Sequence, residues 1–207
     1  MGSLDYERDY QVDKLKERAE IFNKLINVEY NIILGKRGRL TFLKLSFDKK
    51  DFHHLIGLQY LKDRPELRQD GTRLFDMILR DKMAYNQISN SAFFSSIEKR
   101  FLSFVYIEQF LDSDSLVFKF NRKARPGLKM EAKYILESIA NNHIAYICID
   151  KHDGLDNYFC RSFFPKEQTN YTLGHIRYTL LYKEKVNVVT KEKIIQYNKL
   201  RNEAALQ

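Results

Sequence analysis

Four stretches of the chain hold side chains of the kinds that move protons or hold anions. The first is Phe52-His53-His54-Leu55-Ile56-Gly57-Leu58. Histidine ordinarily titrates near neutrality, so His54 is a candidate general base or acid. On a helix His54 shares a face with Leu58 and Leu61, and the same pattern equally fits two partly buried histidines capping a core helix. Gly57 weakens such a helix by about 1 kcal/mol relative to Ala. In return, its missing side chain lets another backbone or a ligand approach. The second stretch is Tyr158-Phe159-Cys160-Arg161-Ser162-Phe163-Phe164-Pro165. Strict alternation puts Arg161 with Phe159 and Phe163, and Ser162 with Cys160 and Phe164, so either face sets a polar group among aromatics. An arginine in such surroundings is paired or awaits an anion, and its planar fork matches phosphate. The third is Arg177-Tyr178-Thr179-Leu180-Leu181-Tyr182-Lys183, where Arg177, Thr179, Leu181 and Lys183 alternate onto one face. A hydroxyl between cations suits charge developing on phosphate, and such a face is also an ordinary solvated one. Tyr171, on the preceding loop, is expected at the same rim. The fourth is the loop Arg122-Lys123-Ala124-Arg125-Pro126-Gly127-Leu128-Lys129, four cations in eight residues with no acid. It pairs naturally with the turn Lys36-Arg37-Gly38-Arg39 as a surface for a phosphate backbone, and both are otherwise simply charged loops.

These residues need elements to hold them. Val12, Leu15, Ala19, Phe22 and Ile26 recur at helical spacing. Tyr30, Ile32 and Leu34 alternate, a Gly-flanked basic turn follows, and Leu43, Leu45 and Phe47 alternate again: a hairpin. Asp48 is placed to cap a short helix carrying the histidines, and Thr72 a second one. Phe94, Ile97, Phe101, Phe104, Val105 and Leu111 predict one longer helix. From Ser115 the period changes to two, with a strand at 116–120 and a strand or a helix at 129–138; the continuous apolar run 144–149 reads as a central strand, and 158–164 and 177–186 as two more. Thr190 predicts a C-terminal helix. Strands that follow one another without intervening helices predict an α+β fold with an antiparallel sheet.

Composition narrows the function. The 207 residues carry 35 Lys and Arg against 27 Asp and Glu, a net charge of +8, which favours a polyanionic partner. Hydrophobic residues at 44% are enough for a packed core. No apolar run of about 18 residues predicts a membrane helix, and no signal sequence opens the chain, so a cytoplasmic protein is expected. The phosphate-binding, dinucleotide, HExxH and GxSxG patterns are absent. Cys148 and Cys160 lie twelve apart without a paired His motif, so neither a disulfide framework nor a zinc site is expected. Asp150, Asp153 and Asp156 lack the twelfth-position Glu of a calcium loop and read as turn residues. Neither a metal nor a cofactor is expected.

Taken in order, Asn31-Ile32-Ile33-Leu34-Gly35-Lys36, the His54 stretch, the Arg161 stretch and Thr179-Leu180-Leu181-Tyr182-Lys183-Glu184-Lys185 resemble the phage-associated Barnase–EndoU–colicin–RelE-like (BECR) nucleases, specifically their fourth phage subgroup. The resemblance covers about residues 20 to 187. It implies an α+β domain with N-terminal helices and an antiparallel sheet; with no clean boundary in the chain, a single domain over 1–207 is expected, with an N-terminal helix (1–28), a nuclease-like core (29–187) and a C-terminal helix or tail (188–207). The resemblance also implies a phage or mobile-element origin, a bacterial host cytoplasm and metal-independent RNase activity. His54 matches the family histidine, Arg161 and Ser162 the strand motif, Thr179 and Lys183 the last motif.

The expected chemistry is transesterification. His54 takes the proton of a ribose 2′-hydroxyl, whose oxygen attacks the adjacent phosphorus. Arg161 and Lys183 stabilise the phosphorane oxygens, and Ser162, Thr179 or Tyr171 donates a further hydrogen bond or protonates the leaving oxygen. Lys36, Arg37, Arg39, Arg122, Lys123, Arg125 and Lys129 are the expected contacts to the RNA backbone, whether of tRNA or mRNA. The alternatives are a nucleic-acid-binding protein without turnover, or an inhibitor of a host defence protein; a host or immunity protein is the expected protein partner, and no membrane is.

Overall fold

The computed structural model describes residues 12–124, 130–152 and 157–200. Asp13 opens the first helix, α1 (Lys14–Leu25), by accepting the Leu15 and Lys16 amides on its carboxylate, as an N-cap does. The hairpin follows as β1 (Val28–Lys36) and β2 (Arg39–Ser46). Its two-residue turn holds Arg37 and Gly38 at φ of 49° and 74°, the left-handed pair that matches strand twist. Helices α2 (Asp51–Ile56), α3 (Gly71–Leu79), α4 (Tyr85–Ser89), α5 (Glu98–Ser103) and α6 (Ile107–Asp112) come next. Six strands complete the fold: β3 (Leu116–Lys119), β4 (Tyr134–Ala140), β5 (His143–Lys151), β6 (Asn157–Pro165), β7 (Ile176–Asn187) and β8 (Lys193–Asn198).

Several expectations change. Asp70, not Thr72, caps α3 by accepting the Arg73 amide. The expected long helix is broken into α5 and α6 with 3-10 turns at 94–96 and 104–106. The breaks re-aim its aromatics: Phe101 meets Tyr85 and Phe94, whereas Phe104 meets Phe22, Phe52 and Phe163. The expected C-terminal helix is instead the strand β8, paired along β7. Ile194 and Ile195 sit side by side there, a pattern without helical period, and residues 201–207 of that expectation lie outside the described residues.

The sheet is not open. Its order β1-β2-β6-β5-β4-β3-β7 returns to β1, closing a seven-stranded barrel with β8 attached to β7. All pairings among the described residues are antiparallel except β2 with β6, which is parallel and three residues long. It is short because the chain leaves the sheet after Ser46 and turns into α2, which packs along β6 in place of a strand. Every barrel strand feeds one core that continues into the helices. At the helical end, Phe104 and Phe110 meet the inward-facing Phe163. Towards the other end, Tyr134 on β4 reaches Tyr158 on β6 and Tyr178 on β7, ring to ring across the interior.

Closure uses two extra residues. Ile33 faces Tyr182 but Leu34 faces Leu180, so Leu181 is bulged out of β7. Gly35 makes room for it, since a Cβ there would lie 2.8 Å from Leu181 Cδ1. Cys148 faces Ser162 but Ile149 faces Cys160, so Arg161 is bulged out of β6. Each bulge flips which residues point inward. Thr179 and Lys183 therefore do not share a face: Thr179 is exposed, and Lys183, 2% exposed, points into the core. Its ammonium donates to the Leu111 and Ser113 carbonyls, both at 2.5 Å, tying the end of α6 to β7. Burial lowers its pKa to about 8.

Lys183→Ala is expected to lower the unfolding free energy by about 3 kcal/mol, through lost charge-assisted hydrogen bonds and a cavity. Because the folded chain holds the Lys183 proton less tightly than the unfolded chain, wild-type stability gains a rising component between about pH 8 and 10.5. Denaturant titrations across that range should show the component in wild type and not in the variant.

Candidate functional site

Two of the predicted motifs meet where α2 lies against β6. The His54 ring is near enough to the Arg161 guanidinium that this charge lowers its pKa, second to the effect of burial. As a residue His54 is exposed, yet the atoms around its imidazole strip part of its water, so it favours the neutral form at pH 7. His53 stands edge to face with it at 5.1 Å, is more deeply set, and is pushed down to about 4 by burial and by His54 beside it. The helix places the two differently: His53 turns towards the Leu67 backbone, and His54 towards β6.

The bulge pushes Arg161 outward from the barrel wall. It donates to Asp150 Oδ2 at 2.8 Å on β5 and to Glu131 Oε2 at 3.1 Å. Its side chain is 41% exposed, where such pairs contribute at most about 1 kcal/mol and exchange readily for another anion. Past the bulge, Ser162 and Phe164 face outward over a second, smaller apolar cluster of Ile135, Tyr146 and Cys148. Tyr171 packs on it, its ring 4.8 Å from Phe164 and 5.3 Å from Tyr146. The Cys148 thiol beneath is fully buried and pushed up to about 12, so it is no nucleophile at neutral pH.

Arg161, Ser162, Phe164 and Tyr171 line one side of a cleft of about 1050 Å³. Its other side comes from α5 and the turns around it, including Tyr60, Lys99 and Arg100. Sequence reasoning missed this side, because helical periodicity assigns the segment to the core and is blind to which helix faces a sheet cleft. A trace existed in Gly57. Its φ of 93° ends α2 in the left-handed conformation, and a Cβ there would lie 3.0 Å from Ile97 and 3.2 Å from Arg100 Cδ. The glycine of the histidine motif is thus what lets α5 seat Arg100.

The remaining predicted residues are elsewhere. Lys183 is in the core and does not join His54 and Arg161. Thr179 lies beside the β1–β2 turn, in a separate groove with Lys36, Arg37 and Arg39. Lys36 donates to the Arg177 carbonyl at 2.9 Å, while Arg37 and Arg39 are exposed with no ion-pair partner among the described residues. Arg122 lines the cleft and pairs with Glu131 at 3.3 Å, and Lys123 beside it is exposed. Arg125 and Lys129 lie outside the described residues, as do Asp153 and Asp156 of the expected turn. Among the described residues, no three His, Cys, Asp or Glu side chains are grouped to hold a metal ion. Also among them, no helix is long and apolar enough to cross a membrane.

A closed α+β barrel with a histidine beside an arginine that lines a basic, aromatic cleft has parts that phosphodiester chemistry uses. The sequence agrees: the family model for phage-Barnase-EndoU-ColicinE5/D-RelE like nuclease 4 matches residues 14–200, and the chain belongs to that family. No curated protein and no solved structure matches it.

Removing the neighbouring charge should release the His54 imidazole. In Arg161→Met, the His54 pKa followed by NMR is expected to rise towards the ordinary value, with His53 changing less; an unchanged His54 titration would show that the two side chains do not interact.

Proposed function

We propose that the protein is a metal-independent endoribonuclease of phage or mobile-element origin that cleaves RNA by 2′-hydroxyl transesterification. The observation that carries this reading is the meeting of His54 with Arg161, 107 positions apart in the chain, where Arg161 lines the cleft. A neutral imidazole at pH 7 is the form that accepts a proton, and partial burial, with the Arg161 charge second to it, favours that form.

In this reading a ribose 2′-oxygen gives its proton to the His54 imidazole and forms a bond to the adjacent phosphorus. Arg161 trades a carboxylate for the phosphorane oxygens, and the Ser162 hydroxyl adds a hydrogen bond. The phosphorus–O5′ bond breaks, and O5′ takes a proton from the Tyr171 hydroxyl, which lines the cleft. The ends formed are a 2′,3′-cyclic phosphate and a 5′-hydroxyl. Arg122 and Lys123 at the cleft, and Arg37, Arg39 and Thr179 at the hairpin turn, hold neighbouring phosphates and set position along the chain without reading bases. Lys183 has no part in the chemistry.

The test uses bacterial RNA in EDTA. Wild type is expected to produce fragments ending in cyclic phosphate, and His54→Ala to lose about 100-fold or more of that rate while still binding RNA. Equal cleavage by both proteins removes His54 from the mechanism. RNA binding without cleavage, steeply weakened by salt, would make the protein a binder without turnover.

A further inference from the structure

Arg100 stands apart from the other cations of the cleft. Arg161 is paired with Asp150 and Glu131, Arg122 with Glu131, and Lys99 with Glu167 at 2.8 Å. Arg100 has no carboxylate partner among the described residues, although it is half-buried and burial disfavours its charge. Two aromatic rings hold it instead: its guanidinium carbon lies 5.3 Å from the centre of Tyr60 and 5.4 Å from that of Phe164. The Tyr60 hydroxyl is its hydrogen-bonding neighbour.

We propose that Arg100 is an oxyanion-binding residue on the helical side of the cleft, built to take a phosphate group. The identity of that phosphate as part of an RNA chain rests on the nuclease reading; the anion site itself does not.

Three physical points carry it. A guanidinium presents five donors and keeps its proton at any physiological pH, so those its aromatic neighbours leave unused must meet water or an anion. Cation–π contact holds the plane of the group without consuming its N–H donors, unlike a carboxylate fork. And the fold makes a specific allowance for it: Gly57, left-handed and without a Cβ, sits directly against the Arg100 stem. A half-buried charge left without a counter-charge is less favourable for the empty protein, so an anion that fills the site stabilises the fold. Ser162 and Tyr171 line the same cleft and carry hydroxyls that can donate to an anion held there. Arg100 would thus supply the second cation that Lys183, used up in the core, does not.

The experiment compares wild type with Arg100→Lys, which keeps the charge and most of the stem but loses the planar fork, with near-UV circular dichroism confirming that both are folded. Two probes are used: inorganic phosphate, and a 2′-O-methyl oligoribonucleotide that has no attacking hydroxyl. Binding is read by thermal stabilisation and tyrosine fluorescence. Both probes are expected to raise the wild-type midpoint, and Arg100→Lys to bind phosphate at least about tenfold more weakly. Undiminished phosphate binding in Arg100→Lys, or none in wild type, overturns the proposal. So does a response that disappears in Arg37→Ser instead, because that places the anion at the hairpin turn. The two readings separate cleanly. Wild-type RNA cleavage with Arg100→Lys equally active leaves the nuclease and removes Arg100. Phosphate binding that requires Arg100, without cleavage of any RNA, leaves the anion site and removes the nuclease.

Discussion

Closing seven strands into a barrel restrains this molecule more than any single contact. A closed sheet has one register all the way round, and a mismatch at one pair is absorbed somewhere in the circuit. Here two extra residues absorb it, Leu181 in β7 and Arg161 in β6. Each reverses the inward–outward pattern beyond it. The first turns Lys183 into the core, where its ammonium fastens the end of α6. The second sends Arg161 outward to the cleft rim. A structural lysine and a candidate active-site arginine are therefore consequences of one geometric requirement.

The only parallel joint among the described strands is the other consequence. β2 stays with β6 for three residues and then becomes the approach to α2. The edge of β6 that β2 leaves is covered by that helix, so the short loop between β2 and α2 brings the histidines to the strand that carries Arg161. A longer β2 would have given β6 a strand neighbour there, and His54 would have had no place beside it. The barrel is thus sealed by a helix at the one point where its wall carries the candidate chemistry.

The cleft is assembled from different layers, and its electrostatics follow from them. The wall side is an apolar cluster under Phe164 and Tyr171, with its charges paired at the rim. The helical side contributes Arg100, held by rings rather than by acids. The hairpin turn, with Arg37 and Arg39, belongs to a separate groove that shares no lining residue with the cleft. Such a division suits a polymeric anion, which touches a protein at several points along its length, better than a small one.

Much of this was legible in the residues alone. Period-two runs placed β1, β2, β6 and β7, a continuous apolar run placed β5, helical spacing placed α1, and the four short motifs were enough to identify the family. These signals are local, written in the spacing of apolar side chains and in glycines and caps. The sequence also singled out His54, Arg161, Ser162 and Tyr171, because an imidazole, a guanidinium and hydroxyls among aromatics are unusual whatever the fold. What the tertiary structure alone decided was direction. Parity along β6 and β7 cannot be counted through a bulge, because a bulge is set by the partner strand: Leu181 needs Gly35, nearly 150 positions earlier. For that reason Thr179 and Lys183 looked like neighbours and are not. Arg100 was invisible for the complementary reason. Nothing in its own helix marks it, and it becomes notable only when Gly57, Tyr60 and Phe164, from two other parts of the chain, close around it.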